Sequence, residues 1–202
     1  MVFFLSKIKN IEKYSELTRV SEKGDFMEYF TTLDSPVGQL TLSSDGEHIT
    51  GLWLPNQKYF AATLEKNAIE KNLPIFEQTK EWLSIYFSGN NPSFTPPLSP
   101  KGSPFRLAVW KILSEIPYGG VTTYGEIAKK ISAESHKIMS AQPVGGAVGH
   151  NPISIIIPCH RVVGANGSLT GFAGGIDKKM QLLRLEGNDM RHFFIPSKGT
   201  AL

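Results

Sequence analysis

The sequence is poor in residues that hold metals or form covalent cross-links. It contains a single cysteine, Cys159, so no disulfide can form within the chain. Its five histidines are scattered, without an HxH or HExxH pair, whereas structural zinc sites usually bring several Cys and His ligands close together. We therefore expect no metal and no other cofactor.

Long apolar runs are also missing. The run at residues 155–157 is far shorter than the roughly 20 residues that a membrane-spanning helix needs. Residues 1–5 are apolar, but lysines follow at positions 7 and 9, so the order of charged and apolar residues typical of a signal peptide is absent. We expect a cytoplasmic protein without membrane association. The net charge of +3 permits nucleic-acid binding but does not indicate it.

Proline and glycine divide the chain into two parts. Five prolines and two glycines between residues 88 and 104 disfavour helix and interior strand, which is typical of an interdomain linker. We expect a polar N-terminal extension, a small α/β domain, the Pro-rich linker, a second domain and a tail, at residues 1–25, 26–90, 91–103, 104–190 and 191–202.

The first domain combines strand and helix patterns. Short strands are predicted at residues 28–33, 39–43 and 48–54. The dipeptide Asp45-Gly46 between the last two favours a hairpin. Helices are predicted at residues 58–71 and 77–87, the second ending before Gly89.

Helix signals dominate the second domain. Ser103-Pro104 is a typical helix start, and an apolar stripe follows it. Thr123 and Glu126 have the spacing of a capping box at the start of another helix. A further helix is predicted to begin near Ser140, after a polar turn, so these two helices are a helix-turn-helix candidate. A buried strand and a terminal helix are predicted at residues 153–157 and 177–187.

The second helix of this pair is rich in small residues, including Gly145 and Gly146. Each glycine costs a helix about 1 kcal/mol relative to alanine, so this density requires a reason. Two explanations are equally open on spacing alone. One is close approach to a DNA minor groove, and the other is tight packing against the core of the domain itself.

Cys159 directly follows the predicted buried strand and precedes His160 and Arg161. A cysteine reacts as its thiolate, and a nearby cation can lower the thiol pKa from about 8.5, so these neighbours suit a nucleophile. Adjacent strand residues point to opposite faces, so His160 can assist Cys159 only if the backbone turns sharply between them. On the residues alone, a buried and inert cysteine at the end of a strand is the preferred interpretation.

The segment around this cysteine, residues 157–163 with the sequence Ile-Pro-Cys-His-Arg-Val-Val, resembles the active-site motif of the O6-alkylguanine-DNA alkyltransferases, also called methylated-DNA–protein-cysteine methyltransferases. The resemblance extends almost continuously over residues 105–187, whereas the N-terminal half matches only in outline. It implies an α/β, ribonuclease-H-like N-terminal domain followed by a mostly α C-terminal domain with a winged-helix-like helix-turn-helix.

The resemblance implies direct-reversal repair of double-stranded DNA that contains O6-alkylguanine. Cys159 would accept a methyl or other alkyl group from guanine O6, with thymine O4 as a further candidate, after the base has been flipped out through the minor groove. The transfer would be irreversible and would occur once per molecule, which would act as a monomer. His160 would take the thiol proton through a bound water, and Glu186 would orient the imidazole, as in a catalytic triad.

Further roles follow from the same resemblance. Tyr124 would help the guanine to depart, near its N3 atom, and Asn151 would tie the recognition helix to the cysteine loop. Backbone groups of Cys159 and Val162 would recognise the guanine edge, and the amide of Ala173 would reach O6.

Two positions depart from the family pattern. Gln142 stands where the family has an arginine that fills the gap left by the flipped base, so we expect weaker DNA binding. Phe172 stands where many members carry tyrosine, and the missing hydroxyl can alter the substrate range. Gly145 and Gly146 would face the DNA from the recognition helix. Arg161 is interpreted as structural or phosphate-facing.

Three other classes of protein are alternatives: lesion-binding relatives without chemistry, helix-turn-helix transcription regulators and cysteine hydrolases. The first lack the cysteine that is present here. A regulator would offer polar side chains to the major groove, whereas the predicted recognition helix offers mostly glycine and alanine. A hydrolase would need an oxyanion hole and a route to release an acyl intermediate.

Overall fold

The computed structural model describes residues 27–197, and its first half is built on a four-stranded sheet. The strands are β1 (Tyr29–Leu33), β2 (Leu40–Ser44), β3 (Ile49–Trp53) and β4 (Ile69–Glu70). Their order is β3-β2-β1-β4, with β4 parallel to β1 and the other pairs antiparallel. The three predicted strands are confirmed, and Gly46 turns the hairpin with a φ of 108°. The predicted extension, residues 1–25, lies outside the described residues.

The helix predicted at residues 77–87 is confirmed as α1 (Pro74–Phe87), which begins three residues earlier. Proline suits this position because the first turn of a helix has no partner for its N–H group. Gly89, with a φ of 81°, lies two residues beyond the last helical residue. α1 ends as predicted because glycine adopts this left-handed conformation without steric cost.

The helix predicted at residues 58–71 is wrong. This segment is a series of turns followed by β4, and Tyr59 and Ala61 have left-handed φ values of 62° and 52°. The Ile69 N–H donates to the Glu28 carbonyl at 3.0 Å, which pairs the end of the segment with the sheet. Pairing with a distant strand therefore overrides the moderate helical preference of the segment.

The proline-rich segment at residues 91–103 runs along the edge of β3. The Ile49 N–H donates to the Pro97 carbonyl at 2.8 Å, and the Ser99 N–H donates to the Ile49 carbonyl at 2.8 Å. These two bonds form an isolated parallel bridge, so part of the segment is attached to the first half of the molecule.

The second half contains four helices: α2 (Pro104–Ser114), α3 (Tyr124–Ser135), α4 (Ala141–Gly149) and α5 (Ile176–Leu185). Ser103 Oγ accepts the Arg106 N–H at the start of α2. Thr123 and Glu126 form the reciprocal bonds of a capping box at the start of α3. The predicted helix starts are confirmed, and α3 and α4 form the predicted helix-turn-helix.

The glycines of α4 do not pack against the core of the protein. The buried face of the helix carries Ala147, whose carbonyl accepts a 2.8 Å hydrogen bond from Trp110 Nε1. A Cβ atom on Gly146 would meet nothing within 4 Å, and one on Gly145 would only touch the Tyr124 ring at 3.9 Å. Internal packing therefore does not explain these glycines, and the face that they form is open to a partner.

The strand predicted at residues 153–157 is wrong, although the whole segment is buried as expected. Only Ile153 forms a bridge, with Leu52, and the chain then turns at Ile155, which has a φ of 70°. The Asn151 side chain accepts the Ile153 N–H and donates to the Ile157 carbonyl. Polar side-chain contacts thus replace the ladder that the β-branched composition predicts.

One large hydrophobic core runs through both halves, with Leu52 and Tyr86 from the first and Trp110 and Ile153 from the second. A smaller cluster is formed by Val163, Leu169 and Leu183. A second, two-stranded parallel sheet joins β5 (Thr122–Thr123) to β6 (Val162–Val163). None of the helices within residues 27–197 is long and apolar enough to cross a membrane.

Candidate active site

Cys159 begins a single turn of 3₁₀ helix, Cys159–Arg161, and its side chain is almost completely buried. Its sulfur accepts a 3.1 Å hydrogen bond from Asn151 Nδ2. Burial raises the pKa of the thiol, and this effect outweighs the Asn151 hydrogen bond and the charge of Lys179, which lower it. Cations next to Cys159 in the sequence therefore do not by themselves make its thiol acidic. At rest the group is a neutral thiol, so it needs a base to react.

His160 is fully buried and directs its Nε2 atom to Glu186 Oε1 at 2.7 Å. Because an ionised carboxylate only accepts hydrogen bonds, the proton of the neutral imidazole lies on Nε2 and the lone pair on Nδ1. Nδ1 is buried without a hydrogen-bond partner among residues 27–197. Burial lowers the pKa of His160 despite the neighbouring carboxylate, so the ring is a neutral base with a free lone pair.

Glu186 follows the last residue of α5, and its carboxylate is hydrogen-bonded by three side chains, those of His160, Arg161 and Tyr86. Arg161 donates to its carboxylate through Nε and Nη2, both at 2.9 Å, and the Tyr86 hydroxyl donates at 2.7 Å. Burial alone would raise the pKa of Glu186, but the hydrogen bonds from His160 and Arg161 and the charge of Arg161 lower it to about 2. The carboxylate is therefore permanently ionised near neutral pH.

Arg161 is structural and does not face a phosphate. Its guanidinium is buried, paired with Glu186, and its Nη1 donates to the Ile116 carbonyl at 2.7 Å. Tyr86, whose hydroxyl also donates a hydrogen bond to Glu186, was not predicted from the sequence. Its contact with Glu186 spans 100 residues, and nothing in the local pattern of α1 distinguishes it from an ordinary core aromatic.

Lys179 was also missed from the sequence. Its side chain is fully buried, and its Nζ donates to the carbonyls of Val162 at 2.6 Å and Thr170 at 2.9 Å. Burial lowers its pKa to about 8, although the proximity of Cys159 acts in the opposite direction. The Val162 carbonyl, expected to recognise guanine, thus already has one donor, and its second lone pair stays available.

A groove of about 600 Å³ lies on the glycine face of α4. It brings together six residues predicted from the sequence: Tyr124, Gln142, Gly145, Gly146, Phe172 and Ala173. Cys159 and Val162 are buried and are not part of its lining. The groove also includes Lys58 and Tyr59 from the N-terminal half, which no sequence signal indicated.

Of the predicted residues, Tyr124 lines this groove and Asn151 contacts the cysteine. The Tyr124 hydroxyl donates to the carbonyls of Thr170 and Gly171, both at 3.1 Å, and burial raises its pKa, so it stays protonated. Asn151, two residues after the end of α4, is buried and contacts the Cys159 sulfur. The cysteine loop is therefore fastened directly to the end of the second helix of the helix-turn-helix.

Together the fold and the site define a protein that holds a buried free cysteine, with an adjacent histidine–glutamate pair, next to a helix-turn-helix. Two family models match the chain: the 6-O-methylguanine DNA methyltransferase ribonuclease-like domain over residues 28–100, and the DNA binding domain of the same name over residues 104–188. The chain belongs to the O6-alkylguanine-DNA alkyltransferase family. The predicted family and the predicted two-part fold class are confirmed.

Individual relatives agree with this assignment. The methylated-DNA–protein-cysteine methyltransferase of Haemophilus influenzae is 44% identical over 159 residues, which cover 78% of this chain and 86% of the relative. The crystal structure of Mycobacterium tuberculosis OGT in complex with DNA has a TM-score of 0.69 and 42% identity, covering 78% of this chain and 92% of that one. The crystal structure of Mycobacterium tuberculosis O6-methylguanine methyltransferase has a TM-score of 0.68 and 42% identity, covering 79% and 93%.

Among residues 27–197, no three His, Cys, Asp or Glu side chains come together as a possible metal site. The thiol contacts the Asn151 amide and lies near the Lys179 ammonium group, and the next residue in the chain is His160, which is paired with Glu186. Such a set can move a proton and stabilise charge without any group bound from outside.

Proposed function

We propose that this protein repairs alkylated guanine by moving the alkyl group from guanine O6 to Cys159. The observation that carries the proposal is the buried thiol beside a neutral histidine, whose Nδ1 lone pair is free and whose Nε2 is fixed by Glu186. His160 removes the thiol proton, directly or through water, and the resulting thiolate attacks the alkyl carbon. A carbon–sulfur bond forms, the carbon–oxygen bond breaks, and the guanine leaves with the electron pair.

The departing guanine carries negative charge and needs a proton or a strong hydrogen bond. Tyr124 is a suitable donor because burial keeps its hydroxyl protonated, and it lines the groove. To reach the base it must exchange its bonds to the Thr170 and Gly171 carbonyls for one to the guanine. The imidazolium formed on His160 is stabilised by the ionised Glu186 and returns a proton to the site.

The substrate is double-stranded DNA that contains O6-alkylguanine, with O4-alkylthymine as a second candidate. One solved relative is a complex with DNA. The open glycine face of α4 allows a close approach to a minor groove, and a base rotated out of the duplex enters the groove next to Tyr124. Asn151, Val162 and Ala173 keep the positioning and recognition roles that the resemblance implies.

The reaction ends after one transfer. The product is a thioether, whose carbon–sulfur bond is stable in water, so the Cys159 thiol is not regenerated. One monomer therefore acts on one lesion. We place the protein in the cytoplasm, where reducing conditions keep a lone cysteine as a thiol.

The test is intact-protein mass spectrometry after incubation with a duplex that contains one O6-methylguanine. We expect a gain of about 14 Da, one methylene, at most once per molecule, and none in the Cys159→Ser variant. Duplex binding without any mass gain would overturn the proposal and assign the protein to the lesion-binding relatives. Repeated demethylation by one molecule would equally contradict it.

A further inference from the structure

The N-terminal half reaches the groove through two adjacent residues, Lys58 and Tyr59. The Tyr59 ring stacks on the His150 ring, with centroids 3.8 Å apart and planes at 19°. The His150 ring is itself fixed, because its Nδ1 donates to the Gly146 carbonyl at 2.7 Å. Two aromatic rings from opposite halves of the molecule thus form one wall of the groove.

The backbone of this segment is held in place on both sides. The Lys58 N–H donates to the Ala173 carbonyl at 2.8 Å, and Lys178 Nζ donates to the Pro55 carbonyl at 3.2 Å. Tyr59 has a φ of 62°, a left-handed conformation that aromatic residues rarely adopt. Backbone of this kind persists where surrounding contacts impose it, and it concentrates at functional sites.

The two residues that contact the Lys58–Tyr59 segment, His150 and Ala173, are linked to the proposed site. His150 is adjacent to Asn151, whose amide touches the Cys159 sulfur. Ala173, held by the Lys58 N–H, is the residue whose amide is proposed to reach guanine O6. The Tyr59 ring lines the same groove as Tyr124, Phe172 and Ala173, the groove that the flipped alkylguanine is proposed to enter.

We propose that Tyr59 is a specificity-determining residue that limits the size of the alkyl group transferred. This inference rests on the function proposed above. The ring is 41% exposed and is not part of the core, so its stacked position serves the groove and not the packing of the fold. A methyl group adds little volume to the flipped base, whereas a benzyl group needs further space in the groove, and the stacked Tyr59 and His150 rings occupy part of that space.

The experiment compares rates of single-turnover transfer from duplexes that contain O6-methylguanine or O6-benzylguanine, for the wild type, Tyr59→Asn and Tyr59→Phe. Asparagine removes the ring and tolerates left-handed backbone, so it tests the ring without added strain. Phenylalanine keeps the stack and is the matched control. We expect Tyr59→Asn to raise the benzyl-to-methyl rate ratio by about 10-fold or more, and Tyr59→Phe to leave it within about twofold of the wild type.

The other outcomes each have a meaning. If Tyr59→Asn lowers both rates equally, the ring contacts DNA in general and the size limit is overturned. An unchanged ratio, or a ratio that falls because the ring attracts the benzyl group, overturns it as well. If the wild type transfers neither group, the proposed function itself fails, and this result is distinct from a wild type that is active and a variant with an unchanged ratio.

Discussion

The Tyr86 hydroxyl donates a 2.7 Å hydrogen bond to Glu186 Oε1, which joins α1 of the N-terminal half to the carboxylate at the end of α5. The same oxygen lies 2.7 Å from His160 Nε2. The N-terminal half therefore contributes directly to the group that orients the histidine base. Its role in the site is more than support for the C-terminal half.

Removing this hydroxyl tests that contribution. We expect Tyr86→Phe to lower the free energy of unfolding by about 1.5 to 3 kcal/mol, because one buried hydrogen bond to a charged group is lost. The transfer rate should fall by up to about fivefold as Glu186 and His160 lose part of their alignment. Urea unfolding and single-turnover kinetics give the two values.

Tyr118→Phe is the matched control for this change. The Tyr118 hydroxyl also donates a partly buried hydrogen bond, but its acceptor is the Leu185 carbonyl, at 3.2 Å, and not the Glu186 carboxylate. This variant should lose stability without a change in rate. Equal rate losses in the two variants would show that the Tyr86 contact has no special part in the site.

The ionised state of Glu186 predicts a stability that depends on pH in the acid range. Its pKa is lowered from 4.5 to about 2 in the folded protein, so the unfolded chain binds more protons between these values. The stabilising contribution is complete above pH 4.5 and is lost as the pH falls toward 2. It amounts to about 3 kcal/mol from the size of the shift.

Unfolding of the wild type and of Glu186→Gln across this pH range measures the effect. The difference in free energy of unfolding between the two proteins should shrink as the pH falls from about 5 to 2, because glutamine does not titrate. A difference that stays constant over the range would mean that Glu186 is not held as an anion by Arg161 and His160.

Because the glycine face of α4 is open, we expect a side chain added at Gly146 to stabilise the fold but to weaken DNA binding. We expect Gly146→Ala and Gly146→Leu to raise the free energy of unfolding by up to about 1 kcal/mol, since a Cβ meets nothing within 4 Å and helix propensity improves. DNA binding, measured by fluorescence anisotropy, should weaken slightly for alanine and strongly for leucine. Wild-type affinity in the leucine variant would exclude this face as the contact with DNA.

Gln142 lies exposed in the first turn of α4 and lines the groove. An arginine there adds a cation next to the phosphates, so we expect Gln142→Arg to bind duplex DNA more tightly at low salt. The slope of log affinity against log salt concentration should steepen by about 0.9 for one further phosphate contact. Gln142→Met, similar in length but uncharged, should keep the wild-type slope. If arginine leaves the slope unchanged, position 142 does not meet the DNA backbone.

Local signals in the sequence were sufficient to predict the structure correctly where the interacting groups lie within four residues of each other. The capping box of Thr123 and Glu126 and the hairpin at Asp45-Gly46 were both predicted and are both present. Two segments were predicted wrongly, the helix at 58–71 and the strand at 153–157. Pairing with the distant strand β1 set the backbone of the first segment, and the bridge to Leu52 together with the side-chain hydrogen bonds of the nearby Asn151 set that of the second.

The sequence by itself determined the family, the nucleophile and the residue types of the site, because the motif around Cys159 and the local signals of the helices are contained in the chain order. The tertiary structure decided the charge state of the thiol. Arg161, next but one to Cys159 in the chain, is paired with Glu186, so its charge does not lower the pKa of the thiol and burial dominates. The structure also brought Tyr59, Tyr86 and Lys179 to the site. Electrostatics and packing depend on distance in space, and these contacts join residues that no local pattern connects.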